Sequence, residues 1–287
     1  MFLNFLRFAA VLLVSYFLFY ASHAMAVDSD KESKVITFGV VPQQSAQVLA
    51  RKWIPIFNYL EEKTGYKFIF KTTKTIPEFE KNVLKGGYDI AYMNPYHYTV
   101  FHEKAGYRAL LKQGSKQIVG IMVVRKNSPI NSLQDLNGKS IAFPAPAAFA
   151  ATVIPQSVMK KSNINHSPVY TSSHESVYKN VSYGNFIAGG GIERTFASTP
   201  KEVTDNLRIL WRSKGYTPHA IAAAPHVSEE ITNLIVSAFM EMNHNSVGNK
   251  LLEALKFKHI EKANNNDWDD VRDLEINLLE SLKKVSG

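Results

Sequence analysis

The stretch Gly86–Tyr98, GGYDIAYMNPYHY, constrains this chain more than any other. Asp89 to Met93 reads as a short buried strand that stops at Asn94-Pro95. Asparagine accepts a hydrogen bond from the orphan amides at a helix N-cap, and proline fits the first helical position without losing a needed donor. The spacing therefore predicts a strand that turns directly into a helix at Asn94. Tyr92, Tyr96 and Tyr98 stand at or just past that turn. In an open α/β sheet, ligands bind beyond the carboxyl ends of the strands, where helix amides point outward. The segment is thus a candidate binding rim; the alternative for each tyrosine is plain core packing.

The flanking sequence repeats the same alternation. Val35 to Val41 is apolar and β-branched, a buried strand, and Gln43 to Ser45 form a polar turn. Ala46 to Thr64 carries Val48, Leu49, Trp53, Ile56, Phe57 and Leu60 at helical spacing, with Gly65 as its stop. Lys67 to Lys71 reads as a strand and Ile76 to Lys85 as a helix. This order implies a parallel sheet with covering helices. A second series follows, with strands at 117–125, 140–143, 168–171, 186–191 and 207–211; the chain runs extended again near Tyr216-Thr217-Pro218, and Ala220 to Ala224 leads into the last helices. Its helices are expected at 148–161, 174–183, 228–242, 249–255 and 268–285. Extended crossings near Met122 to Lys126 and Thr217 to Ala222 bracket the middle third. The expected class is α/β, with two lobes, each a sheet flanked by helices, joined by two hinge strands. One lobe takes residues 27–123 and 221–287, the other 124–220. Lobes joined in this way can hinge around a solute.

The N-terminus gives an address. Arg7 precedes an apolar run, Phe8 to Tyr20, and then Ala21-Ser22-His23-Ala24-Met25-Ala26. A charged start, an apolar stretch and an A-x-A site predict a secretory leader over residues 1–26, too short for a comfortable membrane span. No later segment approaches that length, so no stable membrane insertion is expected. The chain has no cysteine, hence no disulfide, and its stability must come from a proper core. A freely diffusing exported protein without a lipid anchor fits a periplasm. Loss of Arg7 lowers the formal charge from +8 to +7. That balance favours anionic solutes or a membrane surface over nucleic acid in this compartment.

Enzymatic readings find little to stand on. His102, His166 and His174 lack metal-ligand spacing with nearby carboxylates, and there is no H-E-x-x-H, P-loop, G-x-S-x-G or cysteine nucleophile. No catalytic residue, metal or cofactor is expected.

FGVVPQQSA, the helix ending LEEKTG, GGYDIAYMNPYHY, VVRKNSPINSLQDLNGKSIAF and Tyr170-Thr171-Ser172-Ser173-His174 together resemble the phosphonate-binding (PhnD-like) branch of the periplasmic solute-binding proteins of ABC transporters. The resemblance runs over nearly the whole chain after residue 26. It implies a type II periplasmic binding fold, no catalysis, and delivery of a small-molecule ligand to an ABC permease. The alternative partner is a membrane sensor kinase to which the protein reports ligand occupancy. A monomer is expected.

The resemblance also implies a site. First-lobe contacts fall on Gln43, Gln44, Tyr92, Asn94 and Tyr96, and His174 matches on the second lobe. Phosphonate binders carry a hydroxyl-rich run at a second-lobe helix start, and Ala148, Phe149 and Ala150 stand there instead. Each lost hydrogen bond to a charged group is worth about 1.5–3 kcal/mol, so the change implies a weakened anion seat or a different ligand. If the family geometry holds, Tyr92 and Phe149 face each other across the cleft. Asn185 replaces the acid of a Gly-x-Asp pattern, and Glu193 and Arg194 read as an exposed ion pair or as its substitute.

Overall fold

The computed structural model describes residues 35–115 and 117–279. The leader expected over residues 1–26 lies outside them, as does the end of the helix expected at 268–285.

Alternating strands and amphipathic helices build two mixed sheets. In chain order the first sheet begins β1 (Val35–Val40), α1 (Ala46–Thr64), β2 (Lys67–Lys71), α2 (Ile76–Leu84), β3 (Ile90–Met93), α3 (Pro95–Ala105) and β4 (Arg108–Gln113). The chain then enters the second sheet. This half runs β5 (Ile118–Arg125), β6 (Lys139–Phe143), a π turn at Phe149–Val153, α4 (Ile154–Lys161) and β7 (His166–Tyr170). It continues through α5 (His174–Ser182), β8 (Ala188–Ile192), α6 (Glu193–Ala197), α7 (Lys201–Thr204) and β9 (Leu207–Tyr216). The chain returns to the first sheet with β10 (Ala220–Ala223), α8 (Glu229–Glu241), α9 (Ser246–Ala254), β11 (Ile260–Lys262) and α10 (Asp269–Arg272).

The strand orders are β11-β4-β10-β3-β1-β2 and β7-β6-β8-β5-β9. β1 pairs parallel with β2 and β3, but β10 lies antiparallel between β3 and β4, so the first sheet is mixed rather than purely parallel. In the second sheet β6 runs parallel to β7 and β8, and β5 runs antiparallel to β8 and β9. β5 is bonded to β9 from Ile118 onward, so the first crossing falls between Gln113 and Ile118, ahead of the expected residue 123.

The core follows the two periodicities. On α1 the buried stripe is Leu49, Trp53, Ile56, Phe57 and Leu60, and Phe38 of β1 meets the Trp53 and Phe57 rings at 5.3 and 4.8 Å. Alternate residues of β5 serve opposite faces: Met122 and Val124 pack with Phe143 and Met159, Ile121 and Val123 with Val177 and Val181.

The turn predicted at Asn94 is present. β3 ends at Met93, Asn94 Oδ1 accepts from the His97 amide at 2.8 Å, and Pro95 opens α3. Asn94 Nδ2 also donates to the Ala147 carbonyl of the other half at 3.2 Å. Asn94→Ala removes both bonds and is expected to cost about 1–2 kcal/mol, read as a shift in the denaturant midpoint at unchanged slope.

Candidate functional site

The carboxyl ends of β1 and β3 meet the second half at one buried junction. The turn after β1 supplies Gln43 and Gln44, β3 supplies Tyr92, and α3 begins at Asn94. From the second half come the helix start at Ala147 to Ala151, the first residue of α5, His174, and the second residue of α6, Arg194. The His174 amide donates to the Gln43 carbonyl at 3.2 Å, and the Ser45 amide donates to Glu175 Oε2 at 2.9 Å.

Arg194 is the centre of this junction. Its guanidinium donates to the Tyr92 hydroxyl at 2.6 Å and to Gln43 Oε1 at 3.2 Å. It also lies over two aromatic faces, 5.8 Å from the Tyr92 ring centroid and 5.3 Å from that of Phe257. Reading Glu193 and Arg194 as an ion pair is corrected by the structure. Glu193 pairs with Arg212 at 3.0 Å on the surface, while Arg194 turns inward. Neighbouring residues on a helix do not face each other, which is why adjacency in sequence misleads here.

The arginine also fixes a protonation state. Guanidinium only donates, so the Gln43 oxygen faces Arg194 and its amide nitrogen faces His219 Nε2 at 2.8 Å. His219 must accept that bond and is therefore neutral. Burial, then the charge of Arg194, holds the His219 pKa well below the usual histidine range. The same causes, in the same order, depress His174 to about 3. His174 Nδ1 is buried without a hydrogen-bond partner among the described residues. Burial raises the Tyr92 pKa, and the Arg194 charge and hydrogen bond oppose the rise.

Lys52 of α1 completes the polar set. Its Nζ donates to Gln44 Oε1 at 2.8 Å, and burial followed by repulsion from Arg194 and Lys256 lowers its pKa to about 8. Lys52 and Arg194 line a cavity of about 30 Å³ together with Gln43, Gln44, Leu49, Trp53, Tyr92 and Leu255. That is room for about one water, so a ligand must part the two halves or swing Arg194 aside to enter. A larger groove, about 820 Å³, lies elsewhere, between α4, β7 and residues 275–278. None of the residues expected from the sequence lines it.

The sequence-expected residues divide clearly. Gln43, Gln44, Tyr92, Asn94 and His174 converge on the junction. Tyr96 is buried beside it, and its hydroxyl accepts from the Leu279 amide at 2.9 Å. Ala148, Phe149 and Ala150 are also at the junction, but as packing: Ala145 to Ile154 joins the apolar cluster of the first half. Phe149 turns its ring against Tyr216, edge-on at 5.3 Å, whereas Tyr92 meets Trp53, His219 and Phe257. The facing pair expected from Tyr92 and Phe149 is thus replaced by separate ring contacts. Asn185 is exposed in the turn before β8, bonded to Asn180 Oδ1, at the opposite end of that strand from Arg194. A short amide has replaced the acid there, and it serves the turn rather than the junction. Among the described residues no group of His, Asp and Glu is placed to hold a metal ion.

The sequence points to none of Lys52, His219 and Phe257 as site residues, and to Arg194 only beside Glu193 as a substitute for the missing acid. For Lys52 a signal existed: three residues after Leu49 and four before Ile56, it sits on the apolar stripe of α1, where a lysine is out of place.

Residues 38–268 match the family model described as "ABC transporter, phosphonate, periplasmic substrate-binding protein". The chain belongs to this family. It is 21% identical over 231 residues to the phosphate-import protein PhnD of Mycolicibacterium smegmatis, covering 72% of each chain. Identity is also 21% over 275 residues to the phosphonates-binding periplasmic protein of Escherichia coli, covering 90% of this chain and 80% of that one. Among solved structures, a binding protein component of an ABC phosphonate transporter from Pseudomonas aeruginosa superposes with a TM-score of 0.79 at 19% identity. That match covers 85% of this chain and 86% of the other. PhnD1 of Prochlorococcus marinus in complex with methylphosphonate gives 0.77 at 15% identity, over 84% and 97%. The type II periplasmic binding fold expected from the sequence is therefore the fold observed, and the family is a transport component. Among the described residues no helix is long and apolar enough to cross a membrane.

Proposed function

We propose that this protein works as a monomer in the periplasm, after removal of residues 1–26, capturing a small solute between two lobes and passing it to an ABC permease. The lobes are the two sheet-centred halves, hinged where the chain crosses between Gln113 and Ile118 and between Tyr216 and Ala220. Gln43, Gln44, Tyr92 and Asn94 form one wall of the site, and His174 with Arg194 the other.

One observation carries this reading. Side chains from both halves converge on a single buried junction, where Arg194 spans from α6 to Tyr92 and Gln43. A contact that joins the halves is one that a ligand bound there must exchange, so occupancy and lobe position are coupled.

A thermal-unfolding screen over phosphonates, phosphate, sulfonates, amino acids and quaternary amines tests it. A ligand at a hundred times its dissociation constant adds about 2.7 kcal/mol, a rise of about 5–11 °C for a chain of this size. A flat response to the whole panel overturns the capture reading.

A further inference from the structure

Every cation near the junction can be followed to its partners. Among the described residues neither Lys52 nor Arg194 forms an ion pair: Arg194 has a phenol, an amide oxygen and two rings, and Lys52 has an amide oxygen. Of the nearby carboxylates, Glu175 favours the charged form of Lys52 from a distance, but both it and Glu193 make their direct contacts with other groups. Glu175 accepts from Lys179 at 2.8 Å and from the Ser45 amide, and Glu193 pairs with Arg212. The two histidines contribute no charge, since both are buried and neutral. Lys256 adds further positive potential beside Lys52. Lys52 and Arg194 are both partly buried and repel one another, and a ligand that brings negative charge between them relieves that repulsion.

The helix start that a phosphonate-type anion would use is closed to that role. Ala147 to Ala151 are buried within the apolar cluster shared with the first half, and Phe149 is covered by Tyr216. The hydroxyl that follows that run belongs to Thr152, which lines the 820 Å³ groove rather than the Arg194 cavity. By contrast, the Arg194–Lys52 cavity has an apolar side made of Leu49, Trp53 and Leu255.

Resting on the capture reading above, we propose that the ligand is an organic oxyanion whose charged group sits on Arg194 and Lys52, and whose apolar substituent lies against Trp53, Leu49 and Leu255. The anion seat has thus moved from the opening of the second-half helix to the α1–α6 side of the same junction. Arg194 supplies a planar two-donor fork and Lys52 a point charge, a combination suited to phosphonate, sulfonate or carboxylate oxygens. A bare inorganic anion leaves the Trp53 side unfilled, and a cation meets only like charge.

Titration calorimetry on the exported chain with phenylphosphonate, methylphosphonate, inorganic phosphate and choline tests the assignment. Phenylphosphonate is expected to bind more tightly than methylphosphonate, and inorganic phosphate more weakly than either. Arg194→Gln should weaken phenylphosphonate roughly 100-fold and Lys52→Gln roughly 10-fold or more, the scale of lost charge-assisted bonds. Arg194→Lys should recover part of the loss, and Thr152→Val at the helix start should stay within about threefold of the parent. Unliganded melting curves establish that each variant is folded, and Arg194→Lys keeps the test open should Arg194→Gln not fold. Organic-anion binding that survives both Arg194→Gln and Lys52→Gln overturns the seat while leaving solute capture standing. Tight binding of choline alone overturns the ligand class, again without touching capture. A phosphate preference over phenylphosphonate overturns the apolar substituent. Absence of binding by every probe, together with a flat thermal screen, removes both this inference and the capture reading.

Discussion

Gly190→Ala is expected to destabilise the protein by about 3 kcal/mol or more, and Gly120→Ala by a similar amount. A methyl group built on Gly190 would lie 1.9 Å from the Ala151 carbonyl oxygen and 2.7 Å from the Phe143 ring; one on Gly120 would lie 2.1 Å from the Ala150 carbonyl oxygen. Flexible side chains can yield to such a contact, but here the opposing atoms are backbone carbonyls of the helix start seated on β5 and β8. The π turn at Phe149–Val153 is therefore held against bare sheet backbone, and either methyl must lift it. For a chain of this size the loss corresponds to a melting drop of about 6–12 °C. A Gly190→Ala variant melting within 2 °C of the parent would show that the helix start does not rest on the sheet. Because the same helix start forms part of the junction, Gly190→Ala should also loosen the Asn94 bond to Ala147 and weaken ligand capture.

The second large effect is acid destabilisation. His174 and His219 are held neutral in the fold, His174 down to about pH 3. Once the pH falls below about 6.5, the unfolded chain binds protons that these two folded rings refuse. Stability is thus fully present above that pH and drains as it falls, until the folded rings themselves protonate. Each ring contributes a slope of about 1.4 kcal/mol per pH unit, so the pair removes roughly 4 kcal/mol between pH 7 and pH 5. The carboxylates of Asp89 and Glu175, also held below their usual pKa, add loss of the same sign at lower pH. Denaturant titrations at pH 7, 6 and 5 measure this directly. The double variant His174→Asn, His219→Gln should lose most of the slope between pH 7 and 5. A parent protein whose midpoint is constant over that range would refute the assignment of two neutral rings. The cause is burial first and then the charge of Arg194, which opposes protonation of both.

How far the chain could be read from its sequence depends on how local each signal is. α1 was legible to the residue, because a long apolar stripe and Gly65 define Ala46–Thr64 without reference to anything distant. The Asn94-Pro95 turn was legible for the same reason: a cap is chemistry between neighbours. β4 was missed since RALLKQ shows no clean alternation, and β11 since three residues carry no pattern. The long helix expected from Trp268 ends at Arg272 within the described residues, because Glu275 adopts φ 48° and breaks the ladder. β9 runs on to Tyr216, beyond the expected Trp211, through a polar stretch that its partner β5 holds in place.

The site divides along the same line. Gln43, Tyr92 and Asn94 are visible because they sit at strand ends, whose position follows from the local pattern. Arg194 and His219 acquire their roles only when two segments far apart in sequence meet. Nothing near Arg194 announces that it reaches across to Tyr92, more than a hundred residues earlier in the chain. Phe149 illustrates the converse. Its apolar nature at a suspected anion seat was legible, but its partner Tyr216 was not.

The strand order of the first sheet governs the sequence in which the protein can be assembled. β5 to β9 form one unbroken run of chain, so everything the second sheet needs has emerged once Tyr216 has been synthesised. The first sheet cannot keep pace. β10 is its inner strand between β4 and β3, so until Ala220 to Ala223 arrive, β4 has no neighbour among β1 to β3. A chain that emerges from its N-terminus thus presents β1 to β4 early and completes them late. Long-range pairing of this kind is slow and leaves strand edges exposed while it waits. The half that carries Tyr92 is therefore the one most in need of protection during folding, although its strands emerge first.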